Sequence, residues 1–362
     1  MIAKKLDVYI IKKFLGTYFF AIFLIILIAV IFDFSEKIDE FMENNAPAHA
    51  IIFDYYLNFI PYFAVLFAPL FTFIAVIFFT SRMAYNTEII AILSSGVSFR
   101  RLLVPYFFGA TIIMLFNLLL GNYVIPKANH TRFIFEENYY YTTPHGFSER
   151  DYHSQIEPGI FAYFENFNTT SNYGRLFSLE KFKDGRLVSK LMSQDARWDS
   201  TKNKWVVRNY YIRDYEKDGK ETIKTGSVLD TALNLSPEEF RRRDNAVEAM
   251  SLGELNKFIA EQKMQGSSRV NAILVEKYKR IAFPFSTFIL TLIGVSVSSR
   301  KVRGGIGMHI GIGLLVSFSY ILFLQFSTQF AISGELAPLI AVWIPNILFS
   351  FVALFLYKLS PK

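Results

Sequence analysis

The 362-residue chain has no cysteine, which excludes disulfides, thiolate metal sites and thiol nucleophiles while leaving its redox compartment open. It also lacks GxxxxGK[ST], so it cannot hydrolyse a nucleotide through a P-loop, and HExxH and GxSxG are missing too. The five histidines, His49, His130, His145, His153 and His309, show no ligand-type spacing on any predicted helix. They read as surface or packing residues. The middles of the long apolar runs carry no charge, although ion pumps, proton relays and channel filters depend on such groups. Catalysis and ion conduction therefore have little to stand on.

What the chain does have is apolar surface. It is 52% hydrophobic and 17% aromatic with a mean hydropathy of +0.29, which is the composition of a polytopic membrane protein. The net charge of +7 is dispersed among apolar runs rather than gathered in a stripe, so nucleic acid is not the expected partner. Lys4, Lys5, Lys12 and Lys13 precede the first run, and no small-residue cleavage site follows at signal-peptide distance. A retained first span is expected.

Six spans follow by length and hydropathy: 14–32, 55–80, 102–125, 281–299, one within 304–334, and 338–357. Pro61 and Pro69 lie inside the second and predict kinks, while Pro126 is expected to stop the third. The loop after span 1 carries Asp33, Glu36, Asp39, Glu40 and Glu43 against Lys37 alone. Arg82, Arg100 and Arg101, then Arg300, Lys301 and Arg303, and finally Lys358 and Lys362 mark the other side. The positive-inside rule then puts both termini in the cytoplasm. Lys277, Lys279 and Arg280 break the rule at the outer end of span 4. They predict either contact with an anionic lipid headgroup or phosphate, or pairing with Glu276 and snorkelling.

Between the two sets of three spans, 127–266 changes character, with frequent charges, turn signals and short alternating segments. Strands are predicted over 160–167, 175–182, 187–198, 204–215 and 221–229, giving an antiparallel sandwich or jelly roll. An amphipathic helix over 251–265, with Leu252, Leu255, Phe258 and Ile259 on one face, is expected on the membrane surface or under the β domain. Arg241–Arg243 read as a solvated run. Gly304, Gly305, Gly307, Gly311 and Gly313 open a membrane helix and predict small-residue packing on a neighbour. The organisation is thus 1–126 (spans 1–3), 127–266 (β insert) and 267–362 (spans 4–6).

The segment 81–101, SRMAYNTEIIAILSSGVSFRR, is the only interval between spans on the cytoplasmic side long enough to fold. Thr87 is expected to cap a short helix, Glu88 suits its first turn, and Gly96 ends it in left-handed backbone, giving a coupling helix over 87–96. Ile89, Ile92 and Leu93 fall on one face of a helix too short to stand alone. A partner is expected there.

Four stretches, NTEIIAILSSGVSFRRLL, YKRIAFPFSTFILTLIG, RKVRGGIGMHIGIG and GELAPLIAVWIPN, occur in order around the β insert. On these the chain resembles the LptF/LptG permeases of the lipopolysaccharide export ABC transporter, over essentially its whole length. The resemblance implies a polytopic α-helical membrane protein of the bacterial inner membrane with a periplasmic β jelly roll, and no chemistry in this chain. It implies that ATP and Mg are bound by a dimer of the ATPase LptB. It also implies a second LptF/LptG-type permease, an LptC-like single-span protein and an LptA-like periplasmic bridge. Glu88, Ile89, Ile92, Leu93, Gly96 and Arg100 would couple to the ATPase. Lipopolysaccharide would enter beside span 1, where some LptG proteins carry a basic residue; here that position is Asp33, with Lys37 one turn on as the substitute. Phe161, Tyr163, Phe177 and Leu179 would face the interior of the jelly roll by alternation. The insert's length leans towards the LptG-like member. An alternative reading is a transducer that couples an ATPase to a periplasmic partner without moving lipid.

Overall fold

The computed structural model describes residues 5–140, 148–216, 220–233, 235–237, 244–267, 269–299 and 305–360. The basic turn Arg300, Lys301 and Arg303, the Arg241–Arg243 run, Lys4, His145, Gly304 and Lys362 lie outside the described residues. Two compact units divide the chain. One comprises the residues up to Tyr140, Glu248–Leu252 and those from Asn271 onward; the other is the insert up to Val247 together with Gly253–Val270.

The elements in chain order are α1 (Lys5–Glu43), α2 (Ala48–Leu66), α3 (Ala68–Tyr85), α4 (Glu88–Ser94) and α5 (Phe99–Tyr139). Strands β1 (Ser148–Glu157), β2 (Ile160–Asn168), β3 (Tyr173–Lys183), β4 (Arg186–Asp199), β5 (Lys204–Tyr215) and β6 (Glu221–Thr231) follow. A 3₁₀ turn, Asp244–Ala249, then leads to α6 (Leu252–Met264), α7 (Val270–Ser298), α8 (Gly305–Ile332) and α9 (Pro338–Leu359).

Seven helices among the described residues are long and apolar enough to cross a membrane, one more than the sequence predicts. The extra one arises where the second apolar run divides at Phe67, whose backbone (φ −89°, ψ −4°) sits at the edge of the helical region. Pro69, which has no N–H to bond back one turn, then occupies the first turn of α3. Pro126 has the opposite outcome. A π-helical turn over Leu120–Val124 rearranges the hydrogen bonds just ahead of it, and α5 runs on to Tyr139 instead of stopping. With 39 residues, α1 is about 58 Å long, roughly twice the ~30 Å hydrocarbon thickness.

α3 is the most enclosed helix: α1 and α8 both pack on it, α5 packs on α1, and α9 packs on α8. Its two sides feed two cores. One joins Val76, Phe79 and Met83 to Ile10, Phe14, Tyr18 and Tyr106, and the other joins Phe73 and Ile77 to Leu290, Ile293 and Tyr320. Three pairings among these helices show polar groups bonding locally, as a membrane interior favours. Thr80 Oγ1 and Tyr106 OH are 3.0 Å apart, Tyr320 donates to Asn346 Oδ1 at 2.9 Å, and Asn346 Nδ2 donates to the Ala282 carbonyl at 2.8 Å. Of the glycines expected to pack closely, Gly313 does so: a Cβ there would lie 2.6 Å from Ile77 Cδ1. Gly307 and Gly311 have open space instead.

In the insert, β1–β6 form one antiparallel sheet in sequence order, an uncrossed and open meander. β1 escapes sequence reading because SERDYHSQIE is mostly polar. Its partly buried Tyr152 and buried Ser154 and Ile156 nevertheless alternate onto the core face. That core gathers Ile156, Phe164, Phe167, Phe177, Leu191, Trp205 and Val207, with Trp205 Nε1 donating to the Leu235 carbonyl at 2.8 Å. The predicted amphipathic helix is α6, which belongs to this unit and is tied to β1 by Gln155 N–H donating to the Gln265 carbonyl at 3.3 Å.

Candidate functional site

α4 comprises seven residues, so its apolar face must be covered by something. Its own chain does this. Ile89 is 0% exposed, and Ile92 and Leu93 pack on the same cluster as Met83, Ala84 and Phe99. The face expected to meet a partner is therefore occupied from within, and Ile90, 48% exposed, with Ala91 and Ser94 forms the outward face. Thr87 is not the expected side-chain cap. It adopts left-handed backbone (φ 63°) and its hydroxyl donates to the Asn86 carbonyl at 2.6 Å. A β-branched residue is strained there, as the tight corner between α3 and α4 demands. Gly96 (φ 87°) ends the helix as expected.

Glu88 accepts from Tyr9 OH at 3.1 Å and from Asn86 Nδ2 at 3.4 Å, so the first turn of α4 is bonded to α1. Arg100 is exposed and makes no ion pair among the described residues. Its neighbour Arg101 donates to both carboxylate oxygens of Asp7, at 2.8 and 2.7 Å. Ser98 caps α5 through a 3.3 Å bond from Arg101 N–H. Neither Tyr9 nor Asp7 stands out in the sequence, because the contacts span 79 and 94 residues.

Asp33 and Lys37 are one turn apart on α1, and they satisfy each other. Lys37 Nζ lies 2.8 Å from Asp33 Oδ1, also bonds Tyr55 OH, and sits 5.2 Å over the Tyr140 ring. Tyr56 OH donates to Asp33 Oδ2 at 3.2 Å. The i, i+4 spacing that suggested Lys37 as a stand-in for a basic residue at position 33 makes it that residue's ion-pair partner. The pair faces a cluster built on Phe41, Tyr55, Phe59 and Phe135. By contrast, α1 has no buried residue between Ile22 and Phe41, and Phe23, Leu27, Ile31 and Phe32 are exposed.

Lys277, Lys279 and Arg280 lie on α7 itself, which begins eleven residues before the predicted span because Ile273 and Val275 already bury a helical face. Lys277 Nζ sits 5.8 Å over the Tyr278 ring. The Arg280 guanidinium pairs with Glu276 at 3.1 Å and donates to the Met250 carbonyl at 2.7 Å. Lys279, 6.0 Å over the Phe283 ring, lines a pocket of about 90 Å³ with Tyr62, Asn117, Gly121, Glu248 and Glu276. Arg132, beside this cluster, pairs with Glu136 at 3.4 Å. Burial, and then the Glu276 charge, push the Glu248 carboxyl up to about 7 despite nearby Arg132, Lys279 and Arg280.

In the sheet, Phe177 and Leu179 face the core as expected, but Phe161 and Tyr163 do not. β2 pairs Ala162 with Leu179 and Phe164 with Phe177, so Phe161 and Tyr163 lie on the opposite face. Both faces of β2 carry aromatics, and the small Ala162 hides the true phase. Tyr163 OH donates to Asp151 Oδ1 at 2.9 Å, which raises the phenol's pKa. No group of three His, Asp or Glu among the described residues is arranged to hold a metal. His309 is buried, and the His49 ring lies tilted against Phe53 with ring centroids 4.6 Å apart.

A helical bundle of membrane-crossing length with an antiparallel β insert defines the class as an integral membrane protein. The family model for "Lipopolysaccharide export system permease LptF/LptG" matches residues 8–359, and the chain belongs to that family. It is therefore an inner-membrane component of the lipopolysaccharide export ABC transporter, a permease subunit rather than an enzyme. The description covers LptF and LptG together and does not separate them. No individual curated protein matches the chain.

Proposed function

We propose that this permease extracts lipopolysaccharide from the outer leaflet along α1 and passes it through its β domain to a periplasmic LptA-like bridge, driven by a cytoplasmic LptB-like ATPase dimer. The observation that carries the reading is the stretch of α1 between Ile22 and Phe41, where this chain fully buries no side chain and leaves Phe23, Leu27, Ile31 and Phe32 exposed, although the helix's inner half packs tightly on α3 and α5. α8 is likewise thinly covered, with Leu315, Phe318, Leu322 and Phe326 exposed. Together they supply two lateral faces for a second permease and an LptC-like span, with substrate entering between.

On this reading both termini are cytoplasmic, the insert is periplasmic, and ATP and Mg are bound by the ATPase alone. The docking patch is Ile90, Ala91 and Ser94 with Arg100 beside it. Glu88, bonded to Tyr9, relays movement of α4 to the base of α1. The length of the insert favours the LptG-like role.

A photo-crosslinking residue at Ile31 or Phe32, in the complex with both permeases and the ATPase, tests this. Capture of lipopolysaccharide that changes with ATP supports export. Crosslinking to protein alone, in cells that are making lipopolysaccharide, supports a transducer that moves no lipid.

A further inference from the structure

The pocket lined by α2, α5, α7 and the 3₁₀ turn has a specific charge balance. Of the four charged side chains in its wall, Glu276 and Arg280 neutralise each other, and the Arg280 guanidinium is further occupied by the Met250 carbonyl. Arg132 nearby is engaged by Glu136. Among the described residues that leaves one cation, Lys279, with no ion pair and one carboxyl, Glu248, with no bonded partner. Each is close enough to influence the other, yet they form no direct bridge.

A third unsatisfied group lies deeper. Asn117 is 2% exposed and its Oδ1 has no hydrogen-bond partner. An orphaned buried acceptor costs roughly 1–3 kcal/mol unless something donates to it. The remaining walls are apolar: Val65, Leu66, Ile125, Phe283 and Pro284. Gly121, within the π turn of α5, adds no side chain, and a Cβ there would meet nothing within 4 Å. A molecule that satisfied all three groups against these walls would be an amphiphile with one anionic group, one cationic group and N–H donors on the cation.

We propose that this pocket holds a resident zwitterionic phospholipid of the ethanolamine type, its phosphate on Lys279 and its primary ammonium on Glu248 and Asn117 Oδ1. The lipid is separate from exported cargo and pins α2, α5 and α7 together at the return of the chain from the β insert. A quaternary choline cannot donate to either oxygen, and a glycerol headgroup offers Glu248 no cation, so the pocket discriminates by headgroup.

Native mass spectrometry of the delipidated full-length protein, titrated with phosphatidylethanolamine, phosphatidylcholine and phosphatidylglycerol of matched chains, tests this. Wild type should retain the ethanolamine lipid about tenfold better than either other lipid, a ratio equivalent to ~1.4 kcal/mol. Glu248→Gln should erase the preference over choline. Gly121→Leu, which fills the pocket without a backbone clash, should abolish retention at this site. Equal retention of the three lipids by wild type, which requires no variant to fold, overturns the proposal. So does unchanged retention by Gly121→Leu. Displacement of the lipid by an equal concentration of free phosphoethanolamine overturns the assignment to a lipid rather than to its headgroup alone.

Discussion

Arg101 presents both terminal nitrogens of its guanidinium to both carboxylate oxygens of Asp7, at 2.8 and 2.7 Å. This fork joins the start of α1 to the first turn of α5, and α4 lies between α3 and α5 in the chain. With the Tyr9–Glu88 bond it makes the base of α1 and the α4 corner one mechanical piece. Asp7→Asn should lower the thermal midpoint of the detergent-solubilised protein by roughly 2–5 °C. The charge swap Asp7→Arg with Arg101→Asp should recover part of the loss. Equal midpoints for wild type and both variants would show that the fork is decorative.

Adjacent isoleucines on α4 should behave oppositely. Ile89→Ala empties a fully buried site and should cost about 2–5 kcal/mol of stability. Ile90→Ala should leave stability within about 0.5 kcal/mol, because the side chain is half exposed, but should weaken co-purification of the ATPase. Thermal melts and pull-downs on the two variants separate the roles. Loss of ATPase from Ile89→Ala in a protein that melts normally would reverse the assignment.

Glu248 gives a pH signature. Its folded carboxyl, near 7, holds a proton that the unfolded chain has released, so between about pH 4.5 and 7 the folded form binds more protons. Stability therefore falls as pH rises through that window and levels off above it, the total cost of the buried charge being of order 3 kcal/mol. The facing groups are Glu276, Lys279 and Arg280 on α7 and Arg132 on α5. Glu248→Gln should raise the melting midpoint at pH 8 and leave it unchanged at pH 4.5. A variant that melts like wild type at both values removes Glu248 as the titrating group.

The glycines at the start of α8 should divide. Gly313→Val drives a methyl group into Ile77 and should separate α8 from α3 at a cost of about 1–3 kcal/mol. Gly311→Ala, in open space, should be neutral or slightly stabilising in the isolated chain. If Gly311→Ala disrupts only the assembled complex, the open face of α8 meets another subunit there.

Long-range hydropathy was legible in the chain because a span needs about 20 apolar residues, and the insert announced itself by its change of period. The positions of α4, Gly96 and five of the six strands followed from the glycine stop, turns and alternation. What tertiary structure decided is which side of each element is used. Ile89, Ile92 and Leu93 were rightly grouped on one face, but whether that face meets this chain or another depends on where α3 and α5 run. Phe161 and Tyr163 were placed in the core because bulk alternates along β2 in both phases, and only pairing with β3 selects the phase that buries Ala162 and Phe164. Lys37 was read as a substitute for a basic residue at position 33, since local spacing cannot show that Asp33, Tyr55 and Tyr140 converge on it. Local sequence sets periodicity and termini through backbone geometry, whereas the partner of a charge or an apolar face is a contact across tens of residues that only the folded chain brings together.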